Sequence, residues 1–237
     1  MPQTGTLYII ASPIGNPEDM TLRALKLLSE TIDIVYCEDT RQTGRLLSHH
    51  GISRPLRSLH AHSDDAKIMR LIGEIRSGKN IGYMTDSGTP GMSDPGSKIV
   101  AIARREGVHV VPVPGVSALT AIVSVSGFPD KSILFGGFLS KKPGRRKNEL
   151  SRMRGHEGII VIYESPHRIK KALADIAEIF PDREIFIGRE MTKKFEEFIA
   201  LRGETIPSML EGIKEMGEFA IAIFNKELKF DSNGEEK

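Results

Sequence analysis

Short apolar runs alternate with amphipathic segments along most of this chain. Leu7 to Ser12 is almost continuously apolar, as in a strand buried on both faces, and Pro13-Ile14-Gly15-Asn16-Pro17 breaks it. Leu22, Leu25 and Leu28 then mark one face of a helix, and Ile32 to Tyr36 is a second buried strand ending in Cys37-Glu38-Asp39. Thr40 to Ser48 predicts a short polar helix, Leu56 to His60 a strand, and Ile68, Leu71, Ile72 and Ile75 a helix stopped at Gly78. The strand Asn80 to Thr85, the helix of Ile99, Ile102 and Ala103, and the strand His109 to Val113 complete a first half. In the second half, strands are predicted at Ile133–Phe138, Ile159–Tyr163, Glu184–Gly188, Glu197–Leu201 and Phe219–Phe224. Helices carry Ile169, Leu173 and Ile176, then Ile206 to Ile213. The pattern predicts an α/β fold of two consecutive α/β domains, 1–125 and 126–226, with no flexible linker, followed by a charged, disordered tail at 227–237.

Three glycine-bearing turns follow strands in the first half, at Gly15, Gly88 and Gly115. In a parallel sheet such turns lie on one edge, where ligands bind. The richest is Tyr83 to Gly96, YMTDSGTPGMSDPG: Pro90 favours an extended Thr89, and Gly88 and Gly91 permit positive φ and leave backbone amides uncovered. Asp94 and Pro95 read as N-cap and first residue of the following helix. The opening strand, turn and helix look superficially like a dinucleotide-binding unit, but one glycine stands where that site needs G-x-G-x-x-G, which counts against a nicotinamide oxidoreductase.

Charge changes the picture only locally. With 33 basic and 31 acidic residues the net charge is +2, so any nucleic-acid contact must come from a patch. One patch is evident: Ser140 to Lys147, SKKPGRRK, holds five basic side chains and no acid around a Pro-Gly turn, and reads as a solvated loop or a phosphate contact. The single Cys37 excludes an internal disulfide or thiolate cluster, and no histidine pair has zinc-site spacing; His49-His50 and His60/His62 read as surface positions, so no metal is expected. No apolar run approaches a membrane span and the N-terminus lacks an export pattern, so a soluble, cytoplasmic protein is expected.

LYIIASPIGNPEDMT, VYCEDTRQT, TDSGTPGMSDPG and PGVSA together resemble the tetrapyrrole methylase superfamily. YESPHR and GREMTKKFEE narrow the resemblance to the 16S ribosomal RNA cytidine 2'-O-methyltransferases, the small-subunit methyltransferase I type. It covers Thr6 to Phe224, with Phe195 standing where histidine is expected in many relatives. The resemblance implies S-adenosyl-L-methionine held in a cleft between the two domains, a homodimer, and 16S rRNA or the small ribosomal subunit as partner. The cofactor contacts it implies are Pro13, Ile14, Gly15, Asp86, Ser87, Gly88, Thr89, Met92, Ser117 and Ala118, with Tyr163 and the segment of Phe219 and Ala220 from the second half.

Methylating a ribose hydroxyl needs two positioned partners and a base or a stabiliser for the developing alkoxide. Glu38, Asp39 and Arg41, then Glu164, His167 and Arg168, then Glu190 and Lys193 are the candidates. Glu164, Lys193 and Glu190 are the expected catalytic set, Glu164 or Lys193 being the base; Asp86 is expected to accept from the cofactor's amino group or ribose. Arg41, Arg168, Lys141, Lys142, Arg145 and Arg146 are assigned to RNA phosphates. Each has a scaffold role beside it: Asp39 and Ser165 as helix caps, Glu190 as an ion-pair partner of Arg168 or Arg41. Two rival functions share the cofactor motifs: methylation of a tetrapyrrole precursor, and a non-catalytic RNA-binding assembly protein. The basic loop and few aromatics (no Trp, four Tyr) suit phosphates better than a planar macrocycle.

Overall fold

The computed structural model describes residues 4–60, 65–92 and 94–226. The chain divides into two compact units between Ser117 and Ala118.

The first unit is a five-stranded parallel sheet of β1 (Thr6–Ile10), β2 (Ile34–Cys37), β3 (Leu56–Ser58), β4 (Ile81–Met84) and β5 (His109–Val113), in the order β3-β2-β4-β1-β5. The helices are α1 (Leu22–Glu30), α2 (Thr40–His49), α3 (Asp65–Arg76) and α4 (Gly96–Arg105). Alternation along the strands sorts the core into two layers. Leu7, Ile34, Tyr36, Ile81 and Tyr83 meet Ile68, Leu71, Ile72, Ile75, Ile99 and Ile102 of α3 and α4. Ile10, Val35, Cys37, Met84 and Val113 meet Ala24, Leu28 and Leu47 of α1 and α2. Leu22, expected on the buried face of α1, is instead exposed; it is the first helical residue, and the buried stripe starts at Ala24 after the Thr21 cap. Because β1, β4 and β5 are adjacent and parallel, their three glycine turns emerge side by side.

The second unit contains α5 (Ala118–Ser126), β6 (Ile133–Phe138), α6 (Pro143–Met153), β7 (Gly158–Glu164), α7 (Ile169–Ile179), β8 (Glu184–Arg189), β9 (Glu197–Arg202), α8 (Ile206–Met209) and β10 (Phe219–Asn225). Its sheet order is β6-β7-β10-β8-β9, parallel only between β6 and β7. Ile160, Ile162, Ile185, Ile187, Ile221 and Ile223 form one face, packed under Leu150, Ile169, Leu173, Ile176 and Ile206. Against the expected boundary near 125, α5 goes with this unit, where it packs on β10 and β8.

Two local expectations are corrected. SKKPGRRK is mostly helix: Pro143 occupies the first turn of α6, where its missing N–H is no loss, so Gly144 to Lys147 continue the helix rather than a loop. The helix expected over Ile206 to Ile213 is one α-turn between two 3-10 turns, Gly203–Thr205 and Leu210–Gly212. The expected tail at 227–237, His62 and Ser93 lie outside the described residues.

Candidate functional site

At the carboxyl edge of the first sheet the loops are stitched to one another by hydrogen bonds. Ser12 N–H donates to the Gly88 carbonyl (2.9 Å), and Gly88 N–H returns a bond to the Ser12 carbonyl (3.1 Å). The Ser12 hydroxyl donates to the Thr85 carbonyl (3.0 Å), and the Thr85 hydroxyl to the Gly88 carbonyl (3.2 Å). Thr89 Oγ1 donates to the Val116 carbonyl (2.9 Å), tying the β4 loop to the β5 loop. These bonds bring together Pro13, Ile14 and Gly15, the Asp86 to Met92 stretch, and Ser117, whose hydroxyl lies 3.6 Å from the Met92 sulfur. Pro13, Ile14, Gly88 and Ser117 are buried, and Gly15, Asp86 and Ser87 are exposed. Gly88 needs its positive φ of 78° to make the turn.

Asp94 organises the rest of that loop. Its carboxylate accepts from the amides of Gly91 (2.6 Å), Met92 (3.0 Å) and Gly96 (2.7 Å). The amides expected to stand uncovered at Gly91 are therefore taken by Asp94. The helix starts at Gly96, one residue after the expected Pro95. A Cβ at Gly96 would stand 2.7 Å from Asp94 Oδ1, so only glycine lets the carboxylate sit there.

Asp86 links the β4 loop to the end of β2, accepting from Asp39 N–H (3.0 Å) and Gln42 Nε2 (3.4 Å), while its own N–H donates to Glu38 Oε1 (3.3 Å). Burial first, and then the charges of Asp86 and Asp94, push the Glu38 carboxyl above its ordinary range. Below them the Tyr83 hydroxyl is buried with no hydrogen-bond partner among the described residues; burial and the same carboxylates raise the phenol, which stays neutral. Arg41 is extended into solvent and paired with Asp39 at 2.9 Å, and hydrogen bonds from Arg41 lower Asp39 to about 2. Asp39 also caps α2 by accepting from Arg41 N–H.

The second unit has its own convergent edge. β6 is parallel to β7, and β7 and β8 both run against β10, so Phe138, Glu164, Arg189 and the start of β10 at Phe219 lie on one side of the sheet. Tyr163 and Ala220 are direct cross-strand partners there. Glu164 is fully buried: Oε1 pairs with Arg168 at 2.5 Å and accepts from Ser165 N–H, and Oε2 has no partner among the described residues. The Arg168 guanidinium also donates to Ser165 Oγ (3.2 Å) and the Leu139 carbonyl (3.0 Å), so this arginine, expected to face RNA, fastens β7 to the end of β6 instead.

Lys193 sits between two carboxylates, 2.8 Å from Glu190 and 2.8 Å from Glu218. Burial pulls its ammonium down, but the hydrogen bonds to Glu190 and Glu218 outweigh that and hold it above the ordinary lysine value. That favours the ammonium form at neutral pH, which suits a fixed positive charge better than the expected role of base. Glu190 is likewise kept ionised, Lys193 and the Glu218 amide overcoming the effect of burial. Glu190 and Thr192 have positive φ (49° and 67°), backbone strain of a kind that persists where surrounding contacts enforce it. Here a reciprocal pair does so: Glu190 N–H to the Glu218 carbonyl and Glu218 N–H to Glu190 Oε1, both 2.9 Å. Glu218 carried no signal in the sequence.

The basic segment separates by direction. Lys141, Lys142 and Arg145 are exposed, whereas Arg146 is buried and paired with Asp175 at 2.6 Å, and Lys147 reaches Glu178 at 2.5 Å. Arg146 is thus withdrawn from the RNA-facing set. Among the described residues no group of three His, Cys, Asp or Glu could hold a metal ion, and no helix is long and apolar enough to cross a membrane.

Residues 6–207 match the family described as Tetrapyrrole (Corrin/Porphyrin) Methylases. The chain belongs to this family. This tetrapyrrole methylase is similar to a "Ribosomal RNA small subunit methyltransferase I" of Leptospira biflexa, 45% identical over 197 residues, 83% of this chain and 82% of that protein. A protein of the same name from Thermotoga maritima is 42% identical over 223 residues, 94% of this chain and 100% of its own. Among solved structures, the uroporphyrin-III-C-methyltransferase of Thermus thermophilus superposes with a TM-score of 0.65 at 20% identity, covering 93% of this chain and 94% of that one. At that identity the likeness speaks for the fold. The sites described above other than Glu218, Phe219 and Ala220 fall within the matched residues 6–207.

Proposed function

We propose that this tetrapyrrole methylase is an S-adenosyl-L-methionine-dependent methyltransferase of small-subunit ribosomal RNA, acting on the 2'-oxygen of a cytidine. The observation that carries the reading is the identity of 42% or more, over most of the chain, to relatives sharing one name. The first unit's edge suits the donor's charge. Burial and the charges of Asp86 and Asp94 disfavour the Glu38 carboxylate there, and a sulfonium and ammonium would offset that. Within the first unit, Pro13, Ile14, Gly15, Asp86 to Met92 and Ser117 are the proposed holding residues.

The cofactor supplies an electrophilic methyl group. When bound it would offer that methyl to the ribose oxygen, and the protein's own residues must take up the hydroxyl proton. Lys193, a fixed positive charge, stabilises the developing alkoxide, Glu190 and Glu218 fix its position, and the free Oε2 of Glu164 is the proton acceptor. Lys141, Lys142 and Arg145 hold RNA phosphates, so binding weakens steeply with salt despite the near-neutral net charge. The protein is taken to work as a cytoplasmic homodimer, which sedimentation tests directly.

The deciding experiment supplies labelled S-adenosylmethionine with small subunits from cells lacking the enzyme, and naked 16S rRNA in parallel. The expected result is label on one cytidine 2'-oxygen, located by resistance to alkaline cleavage and abolished by Asp86→Ala. No transfer to either substrate, despite tight cofactor binding, would refute the ribosomal reading.

A further inference from the structure

At the end of β6, Phe138 leaves 56% of its surface exposed. Simple alternation would send Phe135 and Phe138 to opposite faces of the sheet, because they are three residues apart. A register shift between Phe135 and Gly137, with Gly137 at a φ of 60°, adds the odd residue that returns both rings to one side. Both then pack T-shaped on Tyr163, at centroid distances of 4.8 and 5.8 Å and interplanar angles of 66° and 68°. Phe138 is therefore a ring braced by Tyr163 that still leaves more than half of its surface exposed.

The cations that follow it are sorted. Lys141, Lys142 and Arg145 are exposed and engaged in no ion pair among the described residues, while Arg146 and Lys147 are consumed by Asp175 and Glu178. A protein–protein interface core is depleted of lysine, and an apolar patch meant for a second copy would gain nothing from three unpaired cations beside it. Unpaired nucleotides, by contrast, combine a π-face with a backbone charge, and proteins that grip them pair aromatic rings with a basic groove. Another exposed phenyl of this unit, Phe195, already has the Lys194 ammonium over its ring at 5.6 Å.

We infer that Phe138 is a stacking platform for an unpaired base of the RNA, with Lys141, Lys142 and Arg145 holding the phosphates next to that base. The inference rests on the reading of the substrate as RNA, and it adds a base contact to what had been a purely electrostatic patch.

The test compares a fluorescein-labelled oligocytidylate with an abasic oligomer of equal length and charge, over a range of salt. Phe138→Ala should weaken the oligocytidylate by about 5- to 150-fold, leave the abasic oligomer unchanged, and keep the salt slope. Phe138→Tyr should restore binding, and Phe138→Leu should not. Neutralising Lys141, Lys142 and Arg145 together should weaken both oligomers and flatten the slope by about 0.7 for each phosphate no longer neutralised. Thermal melting of each variant distinguishes weakened binding from unfolding. Equal losses on both oligomers, unchanged binding of the oligocytidylate, or dissociation of the protein's own assembly in sedimentation caused by Phe138→Ala would overturn the inference. Methyl transfer to small subunits by the wild type keeps the two levels apart: its failure removes the RNA reading, whereas success with Phe138→Ala binding normally removes only the platform.

Discussion

Arg145 and Arg146 are adjacent in sequence and opposite in role, and substituting each in turn separates a scaffold charge from a ligand charge. Arg146 Nε lies 2.6 Å from Asp175 Oδ2, with side chains only 4% and 11% exposed. Arg146→Ala strands the Asp175 carboxylate in the core. Losing one partner of a buried pair costs about 3–5 kcal/mol. Lys147 Nζ stands 3.8 Å from the other Asp175 oxygen and offsets part of the loss, which favours the lower end, about 3 kcal/mol. At about 2–4 °C per kcal/mol for a chain of this size, the melting midpoint should fall by roughly 6–12 °C. Arg145→Ala, on an exposed position, should stay within about 0.5 kcal/mol of wild type. Its effect should appear in RNA binding, as a salt slope shallower by about 0.7–0.9. Replacing both members of the pair, as Arg146→Met with Asp175→Leu, should recover most of the stability, because no charge is then left buried. Calorimetric melting and salt-dependent fluorescence anisotropy on the same preparations read both quantities. If Arg146→Ala melted with the wild type and flattened the salt slope, the division of this segment into inward and outward charges would be wrong.

Two further substitutions probe the charged edges. Glu38 has its folded pKa raised, so the native state binds that proton more tightly than the unfolded chain does; the associated stability is present at low pH and is lost as pH rises through the folded value. Glu38→Gln should therefore raise the melting midpoint of the ligand-free protein at neutral pH, with the gain vanishing on acidification below the ordinary glutamate range, and should weaken S-adenosylmethionine in titration calorimetry; a loss of stability at neutral pH would contradict the repulsion argument. Lys193 acts as a fixed cation, so Lys193→Met should lower kcat by about 10²–10³-fold, the cost of removing one oxyanion donor, with cofactor affinity unchanged and part of the rate restored by Lys193→Arg. An arginine variant as inactive as the methionine one would favour the base role.

Much of the fold could be read from local pattern, because each buried parallel strand is a short apolar run and each helix keeps its own stripe. His109–Val113 and Ile133–Phe138 are bounded in the structure as in the pattern. Gathering of the Gly15, Gly88 and Gly115 turns was also accessible, since parallel strands joined by helices must send such turns to one edge. What local pattern could not carry is any property decided by a distant partner. Nothing near Arg146 separates it from Arg145; Asp175, on α7, does. Lys193 reads as a possible base until Glu218, on the far side of β9 and α8 in sequence, comes beside it and fixes its charge. Arg168 looks like a phosphate ligand until the Leu139 carbonyl and Glu164 take its guanidinium. In all three, charge alone suggested chemistry, and the partner set decided whether that charge was spent inside the fold or left for a ligand. Applied to SKKPGRRK, that criterion leaves Lys141, Lys142 and Arg145 available to RNA, in the segment that follows the half-uncovered Phe138 ring at the end of β6.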